Sequence, residues 1–361
     1  GGMVYLPKGT YLISVGGTQG GRSYGIKLKS NVILKGPGSG LTTLKAANNS
    51  NMDVVVNDTT TQTSNIGIEG IKVDGNEVNQ TTLGFNIWIY NHDYLYLDDV
   101  YSLNAFKWGV RLEKITHLFG GTLVADHAAV TGSDGIHIKD SSDIVMDKII
   151  VKGLGDDGFV IEASNGDCHD ISIGELIVTT PVTTTGAGRG VMLFTDDSVT
   201  AIQRNIYNVS LPNVITHNCK FAALILQISN FYNIDIAVND YGSKNALALL
   251  VGSSVIGAGY IKNSRFKVNS WNPTQNSITM TIVNGVMQHN KLDAFISNPP
   301  DGYEAMNLLG DYWDADINID YDPGATKVSK QYGLDMTAKN SEIHASIKDA
   351  LTNIYIRNGA I

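Results

Sequence analysis

The chain has 361 residues, a formal net charge of −9, 43% hydrophobic and 17% charged residues. That balance supports a packed core and excludes wholesale disorder. The acidic charge disfavours nucleic-acid backbones as partners, and no run of 18 apolar residues is present to span a membrane as a helix. There are 38 Gly but only 8 Pro, with frequent Val, Ile, Thr and Asn, which suits many short strands joined by turns. Cys168 and Cys219 are read as small buried residues, neither a disulfide nor a metal site. No signal peptide is visible, and the chain opens inside a pattern at Gly1-Gly2-Met3-Val4-Tyr5-Leu6-Pro7, so an upstream segment is expected.

Short strands come first: Val4–Leu6, Thr10–Ile13, Gly25–Leu28 and Asn31–Leu34, with corners at Pro37-Gly38 and Gly40. From Asn65 onward a unit recurs with apolar residues two apart, a short corner, then two more. It reads Ile66/Ile68/Ile71/Val73, Leu95/Leu97/Val100, Ile144/Met146/Ile149/Val151, Ile171/Ile173/Leu176/Val178 and Val209/Leu211/Val214. A second strand type lies between them, at Val110/Leu112, Ile136/Ile138, Phe159/Ile161 and Val191/Leu193. Alternation places one set inside each coil and the other outside, and stacking makes columns of the inner set. Asn298-Pro299-Pro300-Asp301-Gly302 is the clearest break. The regular coils are therefore assigned to 1–298 and a strand-rich end piece to 299–361. Within it, 340–351 carries a helical pattern of Ile343, Ile347 and Leu351 that competes with a strand.

The phrase Ser133-Asp134-Gly135-Ile136-His137-Ile138 is followed about 23 residues later by Asp156-Asp157-Gly158-Phe159-Val160-Ile161. A repeat of that length, with Asp/Gly corners, is a solenoid signal. Aligning the two glycines sets Asp134 against Asp157 and Ser133 against Asp156 on coils ~4.8 Å apart. The preceding coil then sets Arg111 against His137, and Glu113 against Lys139 and Glu162. The following one, Gly188-Arg189-Gly190, sets Arg189 against Asp157. Asp134, Asp156 and Asp157 are the catalytic candidates. Crowded carboxylates favour the protonated form of one of them, as an acid–base pair requires. The competing reading is that Asp-Gly is only a common corner. Arg189, Arg111, His137 and Glu113 are candidate substrate contacts. Each also has a plain structural reading: the arginines as partners of nearby acids, His137 as an exposed rung histidine, and Glu113/Lys139/Glu162 as a charge ladder on a solvated face.

The opening, with Tyr5-Leu6-Pro7, Gly9-Thr10-Tyr11, Leu28-Lys29-Ser30-Asn31-Val32 and Thr42-Thr43-Leu44-Lys45, resembles the pectate-lyase-like superfamily. That implies an all-β, right-handed parallel β-helix. Ser133-Asp134-Gly135, Ser141-Ser142-Asp143-Ile144 and Gly155-Asp156-Asp157 resemble the polygalacturonase-type glycoside hydrolases. The resemblance implies that Asp157 is the acid, with Asp134 and Asp156 activating water. The family's Gly-His-Gly and Arg-Ile-Lys motifs have no counterpart here, Gly188-Arg189-Gly190 being nearest, so an anionic galacturonate subsite lacks support. Pectate-lyase chemistry is a second casting of the same residues, with the aspartates on calcium and Arg189 as base.

The Asn/Thr-rich, charge-poor texture is similar to bacteriophage tailspikes and appendages. That resemblance implies a homotrimer on the virion that hydrolyses a host cell-surface polysaccharide or teichoic acid, without a metal or other cofactor. The alternatives are a secreted bacterial polygalacturonase-like glycosidase or polysaccharide lyase, and a non-catalytic receptor-binding spike.

Overall fold

A computed structural model describes residues 1–82, 84–128, 132–153, 155–179, 188–195, 203–253, 257–300, 303, 305–320, 332–339, 341–348 and 352–356. Among them there are 27 strands and a single 3-10 turn, Glu77–Asn79. The strands pair parallel, except that Gly17–Gln19 and Arg22–Leu28 form an antiparallel hairpin. Crossovers between parallel strands of one sheet are right-handed, and the result is the right-handed parallel β-helix that the sequence implies. Two compact units are present, Gly1–Gly188 and Arg189–Ile361.

In the first unit, matched register builds inner columns one residue per coil. Val55, Ile87, Val110, Ile136 and Phe159 form one such column, each 0% exposed. Ile89, Leu112, Ile138 and Ile161 form the next. Full burial of such a side chain contributes ~1.5–3 kcal/mol, so no single coil is stable without its neighbours. Outward residues alternate with these, and the candidate site lies among them.

The strands turn corners without leaving the ladder because single residues at the corners adopt a left-handed backbone. Asn31, Asn65, Tyr94, His117, Asp143 and Asp170 occupy matched positions, with φ from 54 to 62°. Asn and Asp tolerate this conformation best. Asn65 also donates to Asn31 Oδ1 at 3.0 Å, making a side-chain ladder along the corner. Tyr94 and His117 are the exceptions to the Asn/Asp rule, and their rings stack at 4.5 Å.

The second unit repeats the scheme. Asn205–His217 pairs with Asn230–Tyr241, which pairs with Arg265–Trp271, and that with Gly285–Ser297. Parallel pairing goes on after Asn298: Met306–Asp320 pairs with Gly285–Ser297, with Tyr332–Lys339 and with Glu342–Lys348. The helical pattern at 340–351 is thus overturned. Residues Glu342–Lys348 are a strand because pairing in register with Asp314–Asp320 satisfies their backbone. Asn340 and Leu351, the expected helix ends, lie outside the described residues, as do Asp301 and Gly302. Cys168 and Cys219 are buried and are not joined in a disulfide.

Candidate active site

The register of the first unit confirms the expected alignment of coils. Arg111 pairs with His137 and Glu113 with Lys139. His137 pairs with Val160 and Lys139 with Glu162. Ahead of these strands, Gly135 N–H donates to Asp157 O at 3.0 Å and Asp156 N–H to Ser133 O at 3.0 Å. Coil stacking at this corner is tight: a Cβ on Gly109 would meet Gly135 O at 2.6 Å, so only glycine fits.

This stacking brings Asp134, Asp156 and Asp157 together, with one carboxylate oxygen of each within 4.8 Å of the others. Asp134 and Asp157 are 6% and 4% exposed, and Asp156 is half-buried. Asp157 N–H donates to Asp134 Oδ1 at 3.3 Å. Two like charges this close repel by about 3 kcal/mol at an effective dielectric of ~20, which a shared proton or a bound cation relieves. Oxygen-only donors suit a hard cation such as calcium, so the set fits either chemistry.

His137 joins this cluster to a second carboxylate. Its Nδ1 lies 2.7 Å from Asp134 Oδ2 and its Nε2 2.7 Å from Glu162 Oε2. Burial alone pushes the imidazole down, but the hydrogen bonds and charges of Asp134 and Glu162 outweigh it and raise its pKa to about 9. Glu162 is likewise pushed up by burial, yet His137, Lys139 and Ser164 bring it down to about 2. Lys139 Nζ donates to Glu162 Oε1 at 2.5 Å, and Ser164 Oγ donates to the same oxygen. His137 therefore enters as an imidazolium with two donors, each used.

Two expectations change here. His137 is not an exposed rung histidine; it is 3% exposed. Glu113 and Glu162 are not on a solvated ladder; they are 9% and 5% exposed. The cause for Glu162 is the loop that follows it. Asp140 Oδ1 accepts from Ser164, Asn165 and Gly166 N–H at 2.7, 2.9 and 3.1 Å, which holds Ser164 against Glu162. Nothing in the sequence pattern separates Asp140 from an ordinary corner aspartate.

Aromatic rings continue the site on the preceding coils. The His137 ring stacks on Trp108 at 4.6 Å, and Trp108 on Phe85 at 5.4 Å. Trp108 Nε1–H donates to Gly132 O at 3.0 Å. Trp88 meets Phe85 edge-on at 5.8 Å. Arg111 lies 4.6 Å over Trp108 and donates from Nε and Nη2 to Glu113 Oε2 at 3.0 and 2.7 Å. Phe85 carries Arg22 at 4.3 Å, itself paired with Asp53 at 2.5 Å. Both guanidinium groups thus have carboxylate partners within the chain. Tyr94 stands on the corner ladder, away from this outer face. Arg189 is the first residue of the second unit and is half-buried. Glu162, Phe85, Arg22 and Asp53 were missed as site residues; the signal of Glu162, Arg22 and Asp53 was only the two-residue alternation along their own strands, and Phe85 lies just ahead of the strand Ile87–Ala105.

A sequence model of the family described as rhamnogalacturonase A/epimerase, pectate lyase-like, matches residues 1–220. The chain belongs to this family. No curated protein matches it in sequence. Among solved structures it is similar to the tailspike protein of E. coli bacteriophage HK620, solved in complex with a pentasaccharide. The TM-score is 0.56 at 11% identity, covering 99% of this chain and 72% of that one. The siphovirus 9NA tailspike receptor-binding domain is similar at a TM-score of 0.50 and 7% identity, covering 100% and 74%. At these identities the likeness is one of fold.

Proposed function

We propose that the chain is a tailspike- or appendage-type depolymerase that hydrolyses glycosidic bonds of a host cell-surface polysaccharide. The observation that carries this reading is the triple of Asp134, Asp156 and Asp157 oxygens within 4.8 Å of one another. Hydrolysis needs one acid for the leaving oxygen and one base for water. Asp157 is the acid, and Asp134 and Asp156 are the bases. A single water hydrogen-bonds at ~2.7 Å to two oxygens at that spacing. Its proton passes to the base as the hydroxide oxygen attacks the anomeric carbon, while the Asp157 proton passes to the departing sugar oxygen. His137 supports the base by fixing Asp134 through a charge-assisted hydrogen bond. Trp88 is the ring assigned to a sugar face, since Trp108 is already stacked on both His137 and Phe85. Arg111, Glu113 and Arg189 are assigned to substrate contacts.

The fold shared with two tailspikes supports a place on the virion, and a homotrimer is proposed alongside it from the exposed apolar flank of the first unit. Teichoic acid is the other polymer this reading admits. A second reading, a calcium-dependent lyase, is favoured by the all-oxygen donor set of the three aspartates. The test is incubation of the protein with purified capsular polysaccharides, O-chains and wall teichoic acids, followed by size-exclusion chromatography. Shortening of one polymer with new reducing ends supports hydrolysis. Shortening with an unsaturated uronate chromophore supports the lyase. No shortening of any polymer overturns both.

A further inference from the structure

The second unit holds a cleft that the aspartate cluster does not use. It is a cavity of about 470 Å³ on the outer face of Arg265–Trp271, Gly285–Ser297, Met306–Asp320 and Glu342–Lys348. Matched register lays two outward columns across it. One runs Lys267, Asp293, Asp316, His344, and the other Asn269, Phe295, Asn318, Ser346. Their neighbours Val268, Ala294 and Ile317 are 0%, 6% and 3% exposed, which fixes the parity of the first three strands, while Ala345 on the fourth is exposed; Ala294, Ile317 and Ala345 also border the cavity.

The lining has a distinct chemistry. Phe295 ends an aromatic ladder: His217 stacks on Tyr241 at 4.9 Å, Tyr241 on Trp271 at 4.7 Å, and Trp271 meets Phe295 tilted at 6.1 Å. The next coil carries Asn318 instead of a ring, so half-buried Phe295 borders the cavity. Asn269 and Asn318 flank it, each with a donor and an acceptor on one planar group. Asp293 is held by Arg265 at 3.0 Å, while Asp316 and Asn318 are exposed. With Lys267 against Asp293 and Asp316, the charged lining is not cationic, which disfavours a phosphate or another polyanion. An aromatic ring among convergent amides and carboxylates is a surface for a molecule with one apolar face and many hydroxyls.

We propose that this cleft binds a neutral saccharide stretch of the polymer. The inference rests on the depolymerase reading and adds a second, non-catalytic hold on the same chain. A second attachment raises the effective concentration of a long polymer and gives nothing to a fragment too short to reach both sites.

The test compares Phe295→Ala/Asn318→Ala with Asp316→Ala/Asn318→Ala, the second pair altering exposed positions only. The probes are the polysaccharide that the wild type shortens and a short oligosaccharide of the same repeat. KM for the long polymer is expected to rise about tenfold or more, with kcat and the kinetics on the oligosaccharide within twofold. A polymer KM unchanged within twofold in both variants overturns the cleft while leaving the depolymerase reading intact. If the wild type shortens no polymer, both fall together.

Discussion

His137 bridges Asp134 and Glu162, with 2.7 Å on each ring nitrogen. Removing one partner of a buried ionic network costs ~3–5 kcal/mol, because the other charges stay buried. His137→Gln is expected to lose about that much stability. The pH dependence follows from a histidine pKa raised from 6.5 to about 9. The folded state holds the proton more tightly, so this stability is fully present below pH 6.5 and is lost as pH rises through 9. Thermal unfolding between pH 6 and 10 should show a falling Tm in the wild type and a flatter profile in His137→Gln. Equal slopes would mean that His137 carries no bridging charge.

Asp240 is a buried carboxyl with the opposite economy. Desolvation raises its pKa from 3.8 to about 6, against the hydrogen bonds of Ser243 and Thr216 that lower it. Its contribution is present below pH 3.8 and lost as pH rises through 6. A shift of that size corresponds to ~3 kcal/mol. Asp240→Asn keeps an acceptor for both hydroxyls and carries no charge. It should stabilise the protein above pH 7, by up to that amount in urea melts, and do nothing near pH 4. Destabilisation at pH 8 would show that the charged form is the one the fold needs.

The coils were legible in the sequence because the inner columns impose period two on every strand, and Asp-Gly phrases such as Asp134-Gly135 mark their starts. Coil register across Arg111, His137 and Val160 followed from the same alignment. Burial did not follow. Glu162 sits on an outward position that alternation alone assigns to solvent, yet Asp140 gathers three backbone N–H groups and brings Ser164 onto it. That is a loop contact between coils and leaves no periodic trace. The strand at Glu342–Lys348 was ambiguous for a related reason: Ile343 and Ile347 fit both periods, and only pairing with Ala315 and Ile319 decides.

Assembly is expected to use a flank of the first unit. Ile33, Tyr96, Phe119 and Val145 stand in one outward column, through Gly67, and are 36%, 41%, 45% and 49% exposed. Flat apolar columns of this kind pack side by side in cyclic oligomers. Sedimentation equilibrium should give a trimer at micromolar concentration, and Phe119→Lys should weaken it. A wild-type monomer at that concentration removes the trimer.

Hydrolysis by aspartates needs no Lewis acid, whereas the lyase reading requires calcium on the same oxygens. Depolymerisation is therefore expected to proceed at the wild-type rate after exhaustive EDTA dialysis. Loss of activity that calcium alone restores would transfer Asp134, Asp156 and Asp157 from acid–base roles to metal binding.

Asp157 gives the sharpest test. Its backbone N–H already reaches Asp134 Oδ1, so the two acids form one unit. Asp157→Asn keeps the size of the side chain and removes the transferable proton. General acid assistance is worth ~10²–10⁴ in rate, so a loss of that order in kcat is expected. The control is Asp143→Asn. Asp143 sits on the corner ladder at φ 55°, where Asn is at home, and bonds only its neighbour Ser142 at 3.0 Å among the contacts described. It should leave both rate and Tm unchanged. Cleavage by Asp157→Asn at the wild-type rate would reduce the aspartate cluster to a set of corners and place the chemistry elsewhere on the chain. A parallel loss in Asp143→Asn would instead show that the assay reads coil integrity and not proton transfer.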